Sequence, residues 1–105
     1  MTLHIEWSRR AANQLQDHVD NVQERASSAV AKRVVLRVFE RLDAVAELPE
    51  CAPRWSAVDD PAFRRLVVDD FVVFYRIEQE KKQIQVLAVR HGRQRPPTPS
   101  EVGDP

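Results

Sequence analysis

The chain has 105 residues, 43% of them hydrophobic and 30% charged, which describes one globular domain with one core. Its 16 basic and 16 acidic side chains cancel to a formal net charge of +0, so any basic function must come from segregation of charge, not from excess. A single cysteine, Cys51, excludes an intrachain disulfide framework and a cysteine-rich metal site, and two glycines, Gly92 and Gly103, exclude glycine-rich phosphate loops.

Leu3, Ile5 and Trp7 alternate with His4 and Glu6, the pattern of a short strand. This N-terminus has neither the basic start nor the apolar stretch of a secretory leader. No apolar run in the chain approaches the roughly 18 residues that cross a membrane. The expectation is a cytoplasmic protein with no membrane partner.

Ser8 is placed to cap a helix, its hydroxyl accepting from a free first-turn amide. Ala11, Ala12, Leu15, Val19 and Val22 then recur every three or four residues and predict a helix from about Ser8 to Glu24. Ser27 or Ser28 caps a second helix with the stripe Ala31, Val34, Val35, Val38, Leu42, Val45, and Pro49 stops it. Lys32, Arg33, Arg37, Glu40 and Arg41 line its solvated side. Residues 50–61 read as a loop, and Trp55 is expected to fold back over an edge of the core, since a large exposed aromatic is costly.

Three strands follow: 63–68, 71–77 and 84–90. Asp69-Asp70 is the polar break between the first two and predicts a two-residue hairpin turn, because Asp tolerates the left-handed backbone. Residues 78–82 make a looser turn. From Pro96 onward the chain holds four of its seven prolines and no apolar pattern, so 1–95 is read as the domain and 96–105 as a disordered tail. The order is β-α-α-β-β-β: an α+β fold, a helical hairpin packed on one face of a small, mainly antiparallel sheet.

With Asp69-Asp70 as the turn, Val68 pairs with Phe71, Leu66 with Val73 and Arg64 with Tyr75 on one face. Val67 pairs with Val72, Arg65 with Phe74 and Phe63 with Arg76 on the other. Pairing Ile77 with Ile84 adds Val86 and Ala88 to the first face, and Gln85, Leu87, Val89 and His91 to the second. The first face belongs under the helices, with Tyr75 in the core. The second, with Phe74, Leu87 and Val89 among arginines, is left without cover by two helices, which implies a partner bearing carboxylates or phosphates. The competing reading is that loop 50–61 or the tail folds over it.

The segments 63–77 (FRRLVVDDFVVFYRI) and 84–94 (IQVLAVRHGRQ), with Ile5-Glu6-Trp7-Ser8, Ala11-Ala12 and the Leu42…Leu48-Pro49 helix end, together resemble the RelE/ParE toxin superfamily over roughly residues 3 to 95. The resemblance implies the toxin half of a bacterial type II toxin–antitoxin pair, with a small cognate antitoxin whose C-terminal segment wraps the toxin. RelE-like members cut mRNA on the ribosome, whereas ParE-like members poison DNA gyrase and are not nucleases. In the RelE branch a basic residue follows the hairpin aromatic; here that position is Val72. Only Arg65, with Arg64 beside it, matches the basic cluster of the preceding strand, and a proline-rich end stands where that branch carries a helix with Tyr or His. The resemblance therefore leans to a ParE-like gyrase inhibitor without catalysis of its own, cofactor or metal.

The residues expected to meet antitoxin or target are Arg65, Val72, Phe74, Arg76, Leu87, Val89, Arg90, His91 and Arg93. Arg90-His91-Gly92-Arg93-Gln94-Arg95 is the densest basic stretch, and a solvated strand end is its plain alternative. If the chain were instead a ribosome-dependent mRNA endonuclease, Arg65, Arg76, His91 and Arg93 would be its catalytic set, with the arginines holding phosphate and His91 moving a proton. A third reading keeps the fold and the antitoxin but not the toxicity. Asp59-Asp60 flanks a proline and Asp69-Asp70 is a turn, so neither pair is read as a metal site.

Overall fold

The structure, a computed structural model, describes residues 2–102, Val102 by its backbone alone. Strand β1 (His4–Trp7) leads into helix α1 (Arg9–Arg25) and helix α2 (Ser28–Glu47). Both helices start where the sequence places a capping serine. Ser8 Oγ accepts from the Ala11 amide at 3.0 Å, and Ser27 Oγ from the Val30 amide at 3.1 Å. The Leu48 amide makes the last α2-type bond, to Ala44 O, before Pro49 ends the run.

Strands β2 (Phe63–Val68), β3 (Phe71–Glu78) and β4 (Gln83–His91) complete a four-stranded sheet of order β1-β4-β3-β2. Strand β1 lies parallel to β4, and the other pairings are antiparallel. The hairpin turns at Asp69-Asp70 in the register expected, with Asp69 at φ 54°. Arg37 of α2 grips the Asp69 carboxylate with two bonds of 3.2 and 3.1 Å, fixing the turn to the helix layer. Val38, Leu42 and Val45 of α2 and Ala11 of α1 close over Leu66, Val73, Tyr75, Ile84, Val86 and Val89, all 4% exposed or less. Tyr75 is fully buried there, and its hydroxyl donates to Pro49 O at 2.6 Å, tying the end of α2 to the sheet.

Strand β4 departs from regular alternation. Tyr75 pairs with Val86 but Phe74 with Ala88, so Leu87 is an extra residue, a β-bulge. Beyond it every side chain changes face relative to the expected alternation. Val89 pairs with Val73 in the helix-covered core, and His91 pairs with Phe71, so neither lies on the outer face where alternation puts them. Ala88 and Arg90 take the outer face instead. The bulge occurs just where β1 ends and β4 loses its parallel neighbour. There α1 supplies side-chain partners: Ser8 Oγ donates to Leu87 O at 3.3 Å and Gln14 Oε1 accepts from the Val89 amide at 2.8 Å. His18 Nε2 stands 3.1 Å from Val89 O and, against a carbonyl, must carry the proton.

The outer face is not left open. Segment 53–55 runs along the edge of β2, with the Trp55 amide bonded to Phe63 O at 2.9 Å and the Arg65 amide to Pro53 O at 3.0 Å. Arg64 staples the same loop, donating to Pro61 O and Ala52 O at 2.8 and 3.1 Å. Trp55 thereby folds over the sheet, 4% exposed, its ring 4.8 Å from Phe74. Phe74, Leu87 and Ala88 are buried beneath it. The tail beyond residue 95, expected to be disordered, has Pro97 buried and a turn of helix, α3 (Pro99–Val102); residues 103–105 lie outside the described residues.

Candidate functional site

Among the described residues, two surfaces combine exposed apolar side chains with basic ones. The first is what remains of the outer sheet face. Arg65 and Val67 on β2 are exposed, Val67 by 52%, and Val72 on β3 is half-buried. Arg76 pairs with Glu78 at 3.0 Å and lies over the Phe63 ring at 5.8 Å. Burial opposes ionisation of Glu78, but hydrogen bonds from Gln83 and Arg76 and the charges of Arg76 and Lys81 outweigh it and hold the carboxyl below its ordinary range. Arg90 is bonded to Glu101 at 2.8 Å.

Of the residues expected to bind, the structure brings Arg65, Val72, Arg76 and Arg90 to this face. It removes Phe74 and Leu87 under Trp55, and Val89 into the helix-side core. The expected nuclease set is divided. Arg65 and Arg76 share the outer face, whereas the His91 ring stands edge-on to Phe71 on the helix side, centroids 5.6 Å apart. His91 is also tied into its own turn: Nδ1 accepts from the Arg93 amide at 3.2 Å and its amide donates to Gln94 Oε1 at 2.7 Å. Arg93 itself is exposed. Tyr75, the one phenol, is enclosed, and burial raises its pKa far above neutrality, so it does not move protons near pH 7. Among the described residues no group of three His, Cys, Asp or Glu side chains is placed to hold a metal ion, and no helix is long and apolar enough to cross a membrane.

The second surface is the outward side of the helical hairpin, which the apolar-stripe reading of α2 passes over. Leu36 is 58% and Phe39 44% exposed. They flank a groove between α1 and α2, lined at one end by Val19, Ala31, Lys32 and Val35 and at the other by Trp7 and Leu15. The Phe39 ring meets Trp7 edge-on at 6.0 Å. The signal was present in sequence: Leu36 and Phe39 are three apart on the side of α2 that carries Lys32 and Arg33, off the core stripe.

Comparison with known proteins agrees with this architecture. The model of the family described as the ParE toxin of the type II toxin–antitoxin system parDE matches residues 5–96. No curated protein sequence matches the chain. Among solved structures, a chain of the chromosomal ParDE TA system from P. aeruginosa superposes with a TM-score of 0.69 at 22% identity, covering 86% of this chain and 96% of that one. A variant of the E. coli toxin RelE in the free state gives 0.60 at 16% identity, over 89% and 86% of the two chains. The toxin–antitoxin complex RelBE2 from Mycobacterium tuberculosis gives 0.55 at 15% identity, over 87% and 99%. These likenesses establish a shared fold, and the family model, spanning most of the sequence, establishes that the chain belongs to the ParE toxin family of type II toxin–antitoxin systems.

Proposed function

We propose that this toxin acts in the cytoplasm by inhibiting DNA gyrase through contact, without catalysis of its own, and that a cognate antitoxin neutralises it. The observation that carries the first part is the division of the would-be nuclease set: His91 faces the helix layer while Arg65 and Arg76 lie on the outer face. A phosphodiester held by those arginines does not have His91 beside it, and the carboxylate that is there, Glu78, is paired with Arg76 at 3.0 Å and held below its ordinary pKa, which makes it a weak base. The antitoxin is read onto the helical groove, where Leu36 and Phe39 expose apolar surface that a monomer in water does not favour.

The test is a supercoiling assay with purified gyrase, ATP and plasmid, with and without the protein. Blocked supercoiling with trapped double-strand breaks is the expected result. No effect from folded protein refutes the gyrase target, and cleavage of mRNA on programmed ribosomes then supports the RelE-like alternative. For the antitoxin, the double variant Leu36→Glu/Phe39→Glu should remain folded, because both side chains are exposed, yet lose co-purification with the antitoxin. Retained co-purification refutes the groove as its site.

A further inference from the structure

The geometry points to a binding site for a peptide carboxylate on the outer face of β4, formed by Arg90 and Arg95 and filled in cis by the chain's own Glu101. Arg90 reaches this face only because of the bulge at Leu87. Its side chain is 20% exposed, and one terminal nitrogen contacts Glu101 Oε2 at 2.8 Å. Arg95, from the turn after β4, contacts the other oxygen, Oε1, at 3.2 Å. Pro97, four residues before Glu101, is buried, and the Glu101 amide bonds to Thr98 O at 3.0 Å, closing the turn that aims the carboxylate.

The fit in cis is incomplete. Arg90 Nε is buried with no hydrogen-bond partner among the described residues. A buried guanidinium nitrogen without an acceptor is costly, and the preferred partner of the Nε–H/Nη–H edge is a carboxylate giving both oxygens side by side. Glu101 does not do this, because its two oxygens are divided between Arg90 and Arg95. Its advantage is the tether, which supplies it at high effective concentration. An acidic peptide that seats an apolar residue in the place of Pro97 and gives both oxygens to Arg90 makes as many charge-assisted bonds as the tail, but it exchanges the contact to Arg95, 71% exposed, for one to the buried Nε that the tail leaves without an acceptor. The tail is therefore a placeholder, and the partner that fits is a protein segment with Asp or Glu about one helical turn after a proline or small apolar residue.

The experiment uses the full chain, isotopically labelled, as wild type and as Glu101→Gln. The probe is the peptide acetyl-PPTPSEV-amide, whose sequence is that of residues 96–102. NMR follows the Arg90 Nε–H resonance and the relaxation of the Thr98 and Ser100 amides, with amides of α1 reporting that the fold is intact. In wild type the tail amides should relax like those of β4; in Glu101→Gln they should become mobile. The peptide should then shift Arg90 Nε–H in Glu101→Gln at a concentration at least about tenfold below that needed for wild type, because no tethered carboxylate competes. A peptide with Gln in place of its Glu should fail to shift it. Tail amides equally ordered in both proteins, or a peptide that shifts neither or both alike, would overturn the assignment.

Discussion

Trp55→Ala is the most informative single substitution, because it tests whether the loop before β2 is an integral part of the core. Trp55 is 4% exposed, and Phe74 and Leu87 below it are 2% and 5% exposed. A buried tryptophan removes roughly 150–250 Å² from water, worth about 4–6 kcal/mol at ~25 cal/mol per Å² before crediting the alanine methyl. The loop can settle partly into the gap, so the net loss is expected at about 3–5 kcal/mol. With a urea m-value of about 1.5–2 kcal/mol per M, the unfolding midpoint should fall by about 2 M. Trp7 remains as a fluorophore to follow the transition, and Ser56→Ala, exposed beside it, should move the midpoint by less than about 0.3 M. A Trp55→Ala midpoint within about 0.5 M of wild type would refute the reasoning: the outer face would then not depend on this cover, and Phe74 and Leu87 would return as candidate contact residues.

Three further outcomes follow from particular contacts. Tyr75→Phe removes the donor to Pro49 O at a part-buried site and should lower stability by about 1 kcal/mol by urea titration. Lys82, at φ 51°, is held in the left-handed region while its amide bonds Gln79 O, so Lys82→Gly keeps that bond, relieves the backbone and should stabilise by about 0.5–1 kcal/mol in thermal melts. Glu78 has its carboxyl pKa lowered from the ordinary 4.5, so its contribution is present above that value and is lost as pH falls through the lowered one. Urea midpoints between about pH 6 and pH 3 should fall more steeply for wild type than for Glu78→Gln; parallel curves would refute this.

Much of this molecule is determined by the sequence on its own, because the deciding interactions are local. Ser8 and Ser27 cap helices through amides three residues away, the stripes at three and four spacing turn one side of each helix inward, and Asp69-Asp70 sets a hairpin whose register follows pair by pair through Phe63 and Arg76. What only the tertiary structure decided involves residues far apart in the chain. The run Val86-Leu87-Ala88-Val89 is apolar at both parities, so nothing in it tells which residue is extra; the choice falls on Leu87, where β1 stops and Ser8, Gln14 and His18 of the α1 segment take over the edge of β4. That one residue moves Val89 and His91 under the helices and Arg90 outward, putting His91 on the opposite face from Arg65 and Arg76 and creating the pair with Glu101. Likewise Trp55 could be expected to cover apolar surface, but its choice of Phe74 rests on the pairing of 53–55 with Phe63 and Arg65, an edge-strand contact that exists only once the sheet has formed.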